Sequence, residues 1–270
     1  MKRISLLGAG WLGAPLAKQL KEQGHQIKVS VTSGEKANLL EQQGIQSLVV
    51  RLGHPHQEAA LQQLLEDTDL LIITIPPARA KQSVEGSYTD KIKSLIPFIE
   101  QHKIPELMFT SSTTVYMSQR GVVDESTVLH PTSDMDQQIY AIEQMLLQHP
   151  GFNATILRLG ALIGEERHPV RYIVQRPFIE DANNPVNMVH QTDIIRFIKR
   201  MIEEPLPNEV FNMVAPIHKS RREFYTEEAN ALQLSPLPVF SDNPAADLRS
   251  VKGDKIVQRY GMAYEWLGTI

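Results

Sequence analysis

The sequence predicts an α/β protein built on a doubly wound parallel sheet, and three observations carry that prediction. Short apolar runs alternate with helical patterns through the first half of the chain, as parallel strands joined by helices require. A glycine-rich turn lies between the first run and the first helix. The 270 residues are long enough for one large domain or two smaller ones around a sizeable core.

Strands are expected at 3 to 7 (RISLL), 26 to 31 (QIKVSV), 46 to 50 (QSLVV), 69 to 75 (DLLIITI), 106 to 110 (ELMFT) and 154 to 159 (ATILRL). Helices are expected between them near 11 to 23, 35 to 43, 57 to 66, 87 to 102 and 134 to 148. Beyond Arg158 the rhythm changes. Pro169, Pro177 and Pro185 mark a loop-rich region, and strands at 186 to 189 and 209 to 214 return to the sheet around a helix at 192 to 203. Further helices are expected near 220 to 232 and 253 to 260. The expected organisation is a core over 1–165, with 186–214 returning to its sheet, and a small C-terminal substrate lobe over 166–270.

Composition excludes several function classes. Net charge is -4, so no basic field draws nucleic acid or an anionic membrane. There is no cysteine, which removes disulfides, thiol nucleophiles and thiolate metal sites. The nine histidines are scattered without metal-ligand spacing, so no metal is expected. Lys2-Arg3 before ISLLGAG has the charged-then-apolar order of a secretion signal, but the glycines interrupt it and no A-x-A site follows. No run reaches the roughly 18 apolar residues of a membrane span. These features together read as cytoplasmic.

The segment GAGWLG, from Gly8 to Gly13, is G-x-G-x-x-G placed after a strand and before a helix. In that context Gly8 makes the tight turn, Gly10 lets a pyrophosphate approach the backbone, and Gly13 allows close packing of helix on strand. Gly8, Gly10, Trp11, Leu12 and Gly13 are therefore expected at a dinucleotide, whose phosphates meet the helix N-terminus in a Rossmann fold. An acidic residue normally ends the second strand to hold the ribose, yet QIKVSVTSGEK offers none before Glu35. Ser30, Thr32, Ser33 and Lys36 are candidates for a 2′-phosphate, which favours NADP over NAD. Thr74, Pro76 and Pro77 end a buried strand at the same sheet edge and either line the adenosine side or form a rigid strand exit.

Taken with SSTTVY at 111 to 116, ILRLGALIG, NMVHQTDIIRFI and VFNMVAP, the glycine motif makes the chain resemble the extended short-chain dehydrogenase/reductases, the NAD-dependent epimerase/dehydratase family. The resemblance implies an NAD(P)-binding core and a lobe that closes over a substrate, often a nucleotide sugar. It also implies chemistry by a serine, a tyrosine and a lysine four positions on, the lysine lowering the tyrosine pKa. Ser112 falls on the serine position, with Ser111 expected at the cofactor and Thr113 at the substrate.

The family's tyrosine and lysine precede a glutamate by eight and four positions. Taking Glu143 as that glutamate puts Met135 and Ile139 in their places. Neither side chain handles protons, and no Y-x-x-x-K occurs anywhere in the chain. Tyr140, one turn late with Gln144 four positions on, is either a substitute acid or simply a residue of an amphipathic helix. Arg158, Arg167 and His168 are candidates for an anionic substrate group. His190 joins them from the V-H-x-x-D segment, in which Asp193 fixes a helix start. The function expected is a reductase, epimerase or dehydratase acting on a small polar substrate as a monomer or homodimer, or else a non-catalytic NAD(P) sensor.

Overall fold

The computed structural model describes residues 1–54, 57–76, 87–242 and 248–268. The strands are β1 (Arg3–Leu7), β2 (Gln26–Val31), β3 (Gln46–Val49), β4 (Leu70–Ile73), β5 (Glu106–Ser112), β6 (Gly121–Val123), β7 (Asn153–Leu159), β8 (Ala161–Ile163), β9 (Phe178–Ile179), β10 (Met188–His190), β11 (Val210–Met213), β12 (Val239–Phe240) and β13 (Arg249–Val251). The helices are α1 (Gly13–Glu22), α2 (Gly34–Gln42), α3 (Glu58–Leu65), α4 (Tyr88–Lys93), α5 (Ile96–Gln101), α6 (Asp134–Leu147), α7 (Val170–Ile173), α8 (Gln191–Met201), α9 (Arg221–Ala231) and α10 (Asp254–Tyr260).

Seven strands form one sheet in the order β11-β7-β5-β4-β1-β2-β3. The ladders joining β1 to β2, β2 to β3, β1 to β4 and β4 to β5 are parallel. Chain order runs outward from β1 through β2 to β3, then jumps back to β4 on the other side of β1. That reversal is the topological switch point at which ligands of doubly wound sheets bind. All four β4 residues are buried, as expected of a central strand covered on both faces. Each such side chain contributes about 1.5–3 kcal/mol by leaving water.

The chain divides into two compact units. The first, Met1–Ser111 with Asp134–Leu157 and Met201–Val210, contains β1 to β4 with α1 to α6, and its core joins Leu71, Ile73, Phe109, Ile142 and Ile156. The second, Ser112–Ser133 with Arg158–Arg200 and Phe211–Ile270, carries three two-stranded parallel sheets, β10 with β8, β12 with β9, and β13 with β6.

Two local readings change. The helix expected at 87 to 102 is two, because α4 ends at Lys93 and α5 restarts with Pro97 in its first turn, where a missing N-H costs nothing. Of the two strands expected to return to the large sheet, β11 does so, whereas β10 pairs with β8 in a sheet of its own. Gly160, just before β8, permits that pairing: a Cβ there would lie 2.8 Å from the Asn187 carbonyl oxygen.

Candidate functional site

The glycine loop leaves β1 at the switch point and is pinned from both neighbouring strands. Ser30 of β2 accepts the Gly8 N-H on its hydroxyl at 2.9 Å and the Ala9 N-H on its carbonyl at 2.7 Å. From beyond β4, the Thr74 hydroxyl donates to the Gly8 carbonyl at 2.7 Å. Gly8 has φ +108°, a conformation open to glycine. A Cβ on Gly13 would sit 2.3 Å from the Gly8 carbonyl oxygen and 2.8 Å from Leu6, so the helix can approach the strand only without a side chain there. A Cβ on Gly10, by contrast, would meet nothing within 4 Å. Gly13 serves packing, and Gly10 faces open space.

That space is a cleft of about 350 Å³ whose lining includes Gly8, Gly10, Thr32, Lys36, Arg51, Thr74 and Pro76. Among the described residues its charged lining consists of Lys36, Arg51 and Lys91, with no carboxylate. A bare glycine backbone at a helix N-terminus beside three cations fits a dinucleotide with its phosphates. Leu12 is the buried residue immediately before α1, Gly13 is the first residue of the helix, and Trp11 is half-buried in the turn.

Several expected contacts are otherwise occupied. The Ser30 hydroxyl holds the glycine loop, and Ser33 caps α2 by accepting the Lys36 N-H rather than lining the cleft. Pro77 lies outside the described residues. Arg51, which the motif reading passed over, lines the cleft from the end of the third strand. Its signal was available, because VVRLG places a cation at the same carboxyl edge as the glycine loop.

The hydroxyl segment after β5 is built from side-chain bonds. In the first unit, buried Ser111 donates to the Glu143 carboxylate at 2.5 Å, so its hydroxyl is engaged with α6. On α6, Ile139 is 1% exposed and in the core, Met135 is half-buried, and the hydroxyl of the half-buried Tyr140 makes no hydrogen bond among the described residues. In the second unit, Ser112 caps a 3-10 turn over Thr113–Tyr116, accepting the Thr114 N-H at 3.1 Å and sharing a proton with the Thr114 hydroxyl at 2.8 Å. Thr113 is half-buried.

Tyr116 is fully buried. Its hydroxyl accepts from Arg158 at 2.6 Å and lies within donating distance of the Asp124 carbonyl at 2.9 Å and the Asn212 side-chain oxygen at 3.0 Å. Burial pushes its pKa up, against the lowering influence of Arg158. Arg158 itself is 4% exposed, its guanidinium 4.9 Å from the Tyr116 ring centroid. Expected as a substrate contact, it instead braces this tyrosine.

His168 is likewise internal. Its Nδ1 accepts the Val170 N-H at 3.3 Å, and its Nε2 lies 3.1 Å from the Glu228 carboxyl without hydrogen-bond alignment. Burial lowers the His168 pKa to about 4 and raises that of Glu228, so both groups favour the neutral form. Arg167 is exposed and exchanges backbone bonds with Gly164. His190 is half-buried, bonded to the Thr192 hydroxyl at 2.6 Å and tilted against Trp266. Asp193 does more than start a helix: fully buried, it accepts from Arg196 and from the backbone N-H groups of Glu265 and Trp266, tying down the C-terminal segment. Among the described residues no cluster of three His, Asp or Glu side chains could hold a metal ion. None of their helices is long and apolar enough to cross a membrane.

A glycine loop at the switch point of a parallel sheet, opening on a cationic cleft, defines a dinucleotide-binding protein. The chain belongs to the NAD(P)H-binding family, which its residues 8–205 match. It is 32% identical to Protein YeeZ of Escherichia coli (strain K12) over 268 residues, spanning 98% of this chain and 97% of that protein. Among solved structures it is similar to a short-chain dehydrogenase/reductase superfamily protein from Agrobacterium tumefaciens with bound NAD (TM-score 0.78, 14% identity, 98% of this chain and 93% of that one). It is also similar to the UDP-N-acetylglucosamine 4-epimerase from Bacillus cereus (TM-score 0.76, 13% identity, 99% and 95%). At such identities the likeness concerns the fold, which is that of the epimerase/dehydratase-like short-chain dehydrogenases. The protein is thus a member of an NAD(P)H-binding family.

Proposed function

We propose that the protein is an NAD(P)H-dependent reductase, epimerase or dehydratase acting on a small polar substrate, with nucleotide sugars the first class to try. The observation that carries the reading is the cationic cleft on the glycine loop, with Gly10 open to it and no acidic side chain among the described residues of its lining. The fold shared with a UDP-N-acetylglucosamine 4-epimerase supports the choice of substrate class.

When bound, the nicotinamide supplies or accepts a hydride. The chain's own residues would hold the pyrophosphate on the backbone of Gly8 to Gly13, and Ser112, half-buried at the end of β5, would donate a hydrogen bond to the substrate oxygen. Tyr140 is proposed as the substitute acid, since Met135 and Ile139 cannot exchange protons. Arg167 and His190 are proposed as substrate contacts on the strength of their exposed or half-buried positions.

The test is turnover of NADPH and NADH, followed by absorbance, against a panel of carbonyl compounds and UDP-sugars. Turnover that falls about 100-fold in Ser112→Ala, with cofactor affinity unchanged, is the expected result. A second reading, a non-catalytic NAD(P) sensor, is favoured by the apolar residues at positions 135 and 139. It gains if the cofactor binds, nothing in the panel turns over, and Ser112→Ala leaves binding untouched.

A further inference from the structure

We infer that Arg51 selects the phosphorylated adenosine ribose, so that the cleft reads NADP(H) in preference to NAD(H). The inference rests on the cofactor reading above and specifies which member of the class the site takes.

An unphosphorylated ribose is usually held through its hydroxyls by a carboxylate at the end of the second strand. Here that place is taken by Thr32, and Glu35, the next acid along, stands in the first turn of α2 outside the cleft lining. The lining offers Lys36, Arg51 and Lys91 instead. Such a charge balance suits an added phosphate dianion and gives no acceptor pair to a ribose diol.

The geometry of Arg51 is specific. Its Nε donates to the Thr32 carbonyl at 2.8 Å, joining the residue that follows β2 to one that follows β3 and restricting the guanidinium plane. The two Nη groups have no hydrogen bond or ion pair among the described residues. A planar pair of donors next to the ribose end of the cleft matches the bidentate geometry of a phosphate monoester, which a lysine presents only as a point charge. Lys36 adds that second charge from α2. Its backbone N-H bonds the Ser33 cap, which fixes the start of the helix carrying it.

The test is isothermal titration of the full chain with NADPH, NADH, 2′,5′-ADP and 5′-ADP, the last two isolating the 2′-phosphate from the nicotinamide. We expect the phosphorylated member of each pair to bind at least about 10-fold tighter, the difference a charge-assisted bidentate contact provides. In Arg51→Gln the phosphorylated ligands should weaken until the two members of each pair agree within about 3-fold, NADH losing far less affinity than NADPH. Thr32→Asp, restoring the carboxylate, should reverse the preference. Circular dichroism checks that each variant folds, and Arg51 is exposed, so no core packing is lost. Equal affinities for NADPH and NADH in the unmodified chain, or an Arg51→Gln variant that weakens both alike, overturns the inference while leaving the cofactor reading intact. Failure to bind any dinucleotide overturns both.

Discussion

The glycine loop and the hydroxyl segment follow two strands of the same sheet, β1 and β5, yet they work in different ways. The loop acts through its backbone. Gly8 bends, Gly10 leaves room, Gly13 lets the helix close in, and side-chain help comes from Ser30 on β2 and Thr74 just past β4. The hydroxyl segment acts through partners remote in sequence: Ser111 bonds Glu143, 32 residues on, and Tyr116 bonds Arg158, 42 residues on. A backbone device keeps its meaning wherever its few residues survive. A hydroxyl acquires meaning only from its partners, and Met135 and Ile139 on α6 have no group that exchanges protons.

The largest effect expected from breaking this contrast is at Gly13. Gly13→Ala places a methyl 2.3 Å from a backbone oxygen that cannot rotate away. Overpacking of this kind costs about 1–3 kcal/mol, to be read as a lowered urea midpoint with an unchanged slope. A fully stable Gly13→Ala would show that the strand and helix are not tightly apposed.

In the hydroxyl segment, Tyr116→Phe keeps the ring but deprives a buried guanidinium of an acceptor. The expected cost is about 1–3 kcal/mol in the same denaturation measurement. A neutral result would mean that Arg158 has water or another acceptor to turn to.

A smaller effect concerns pH. His168 has a folded-state pKa near 4, below its unfolded value, so the unfolded chain binds more protons between about pH 6.5 and 4 and stability falls as pH falls through that window. Arg171 and His190 reinforce the lowering that burial begins. Glu228 acts oppositely, because burial raises its pKa and the folded state gains stability as the carboxyl protonates. The two partly cancel. Glu228→Gln should therefore steepen the loss of stability on acidification, measured as melting temperature against pH, and a shallower profile would reverse the assignment.

Much of the fold was legible because its signals are local. The apolar runs of β1 to β5 and the glycines after β1 each state their structure within a few residues. The break between α4 and α5 was available from Pro97 but was masked by the continuous helical pattern around it. The pairing of β10 with β8 is a long-range choice between two sheets that no single stretch encodes. At the site, the glycine loop is legible as a turn between strand and helix, whereas Arg51 escapes a rule that concerns the end of the second strand, because this cation stands beyond the third. Arg158 and His168 have the side chains of ligand-binding residues but are buried against Tyr116 and Glu228, and burial is a property of the whole fold.

The central claim is that the glycine loop is a binding surface whose packing and ligand roles fall on different glycines. Its most direct test is an equilibrium titration of Gly10→Glu with NADPH, followed by calorimetry beside a urea melt. A Cβ at Gly10 meets nothing, so the variant should melt like the unmodified chain, while its carboxylate enters the phosphate cradle and should lower affinity about 100-fold or more. Unchanged NADPH affinity in a folded Gly10→Glu variant would contradict the account.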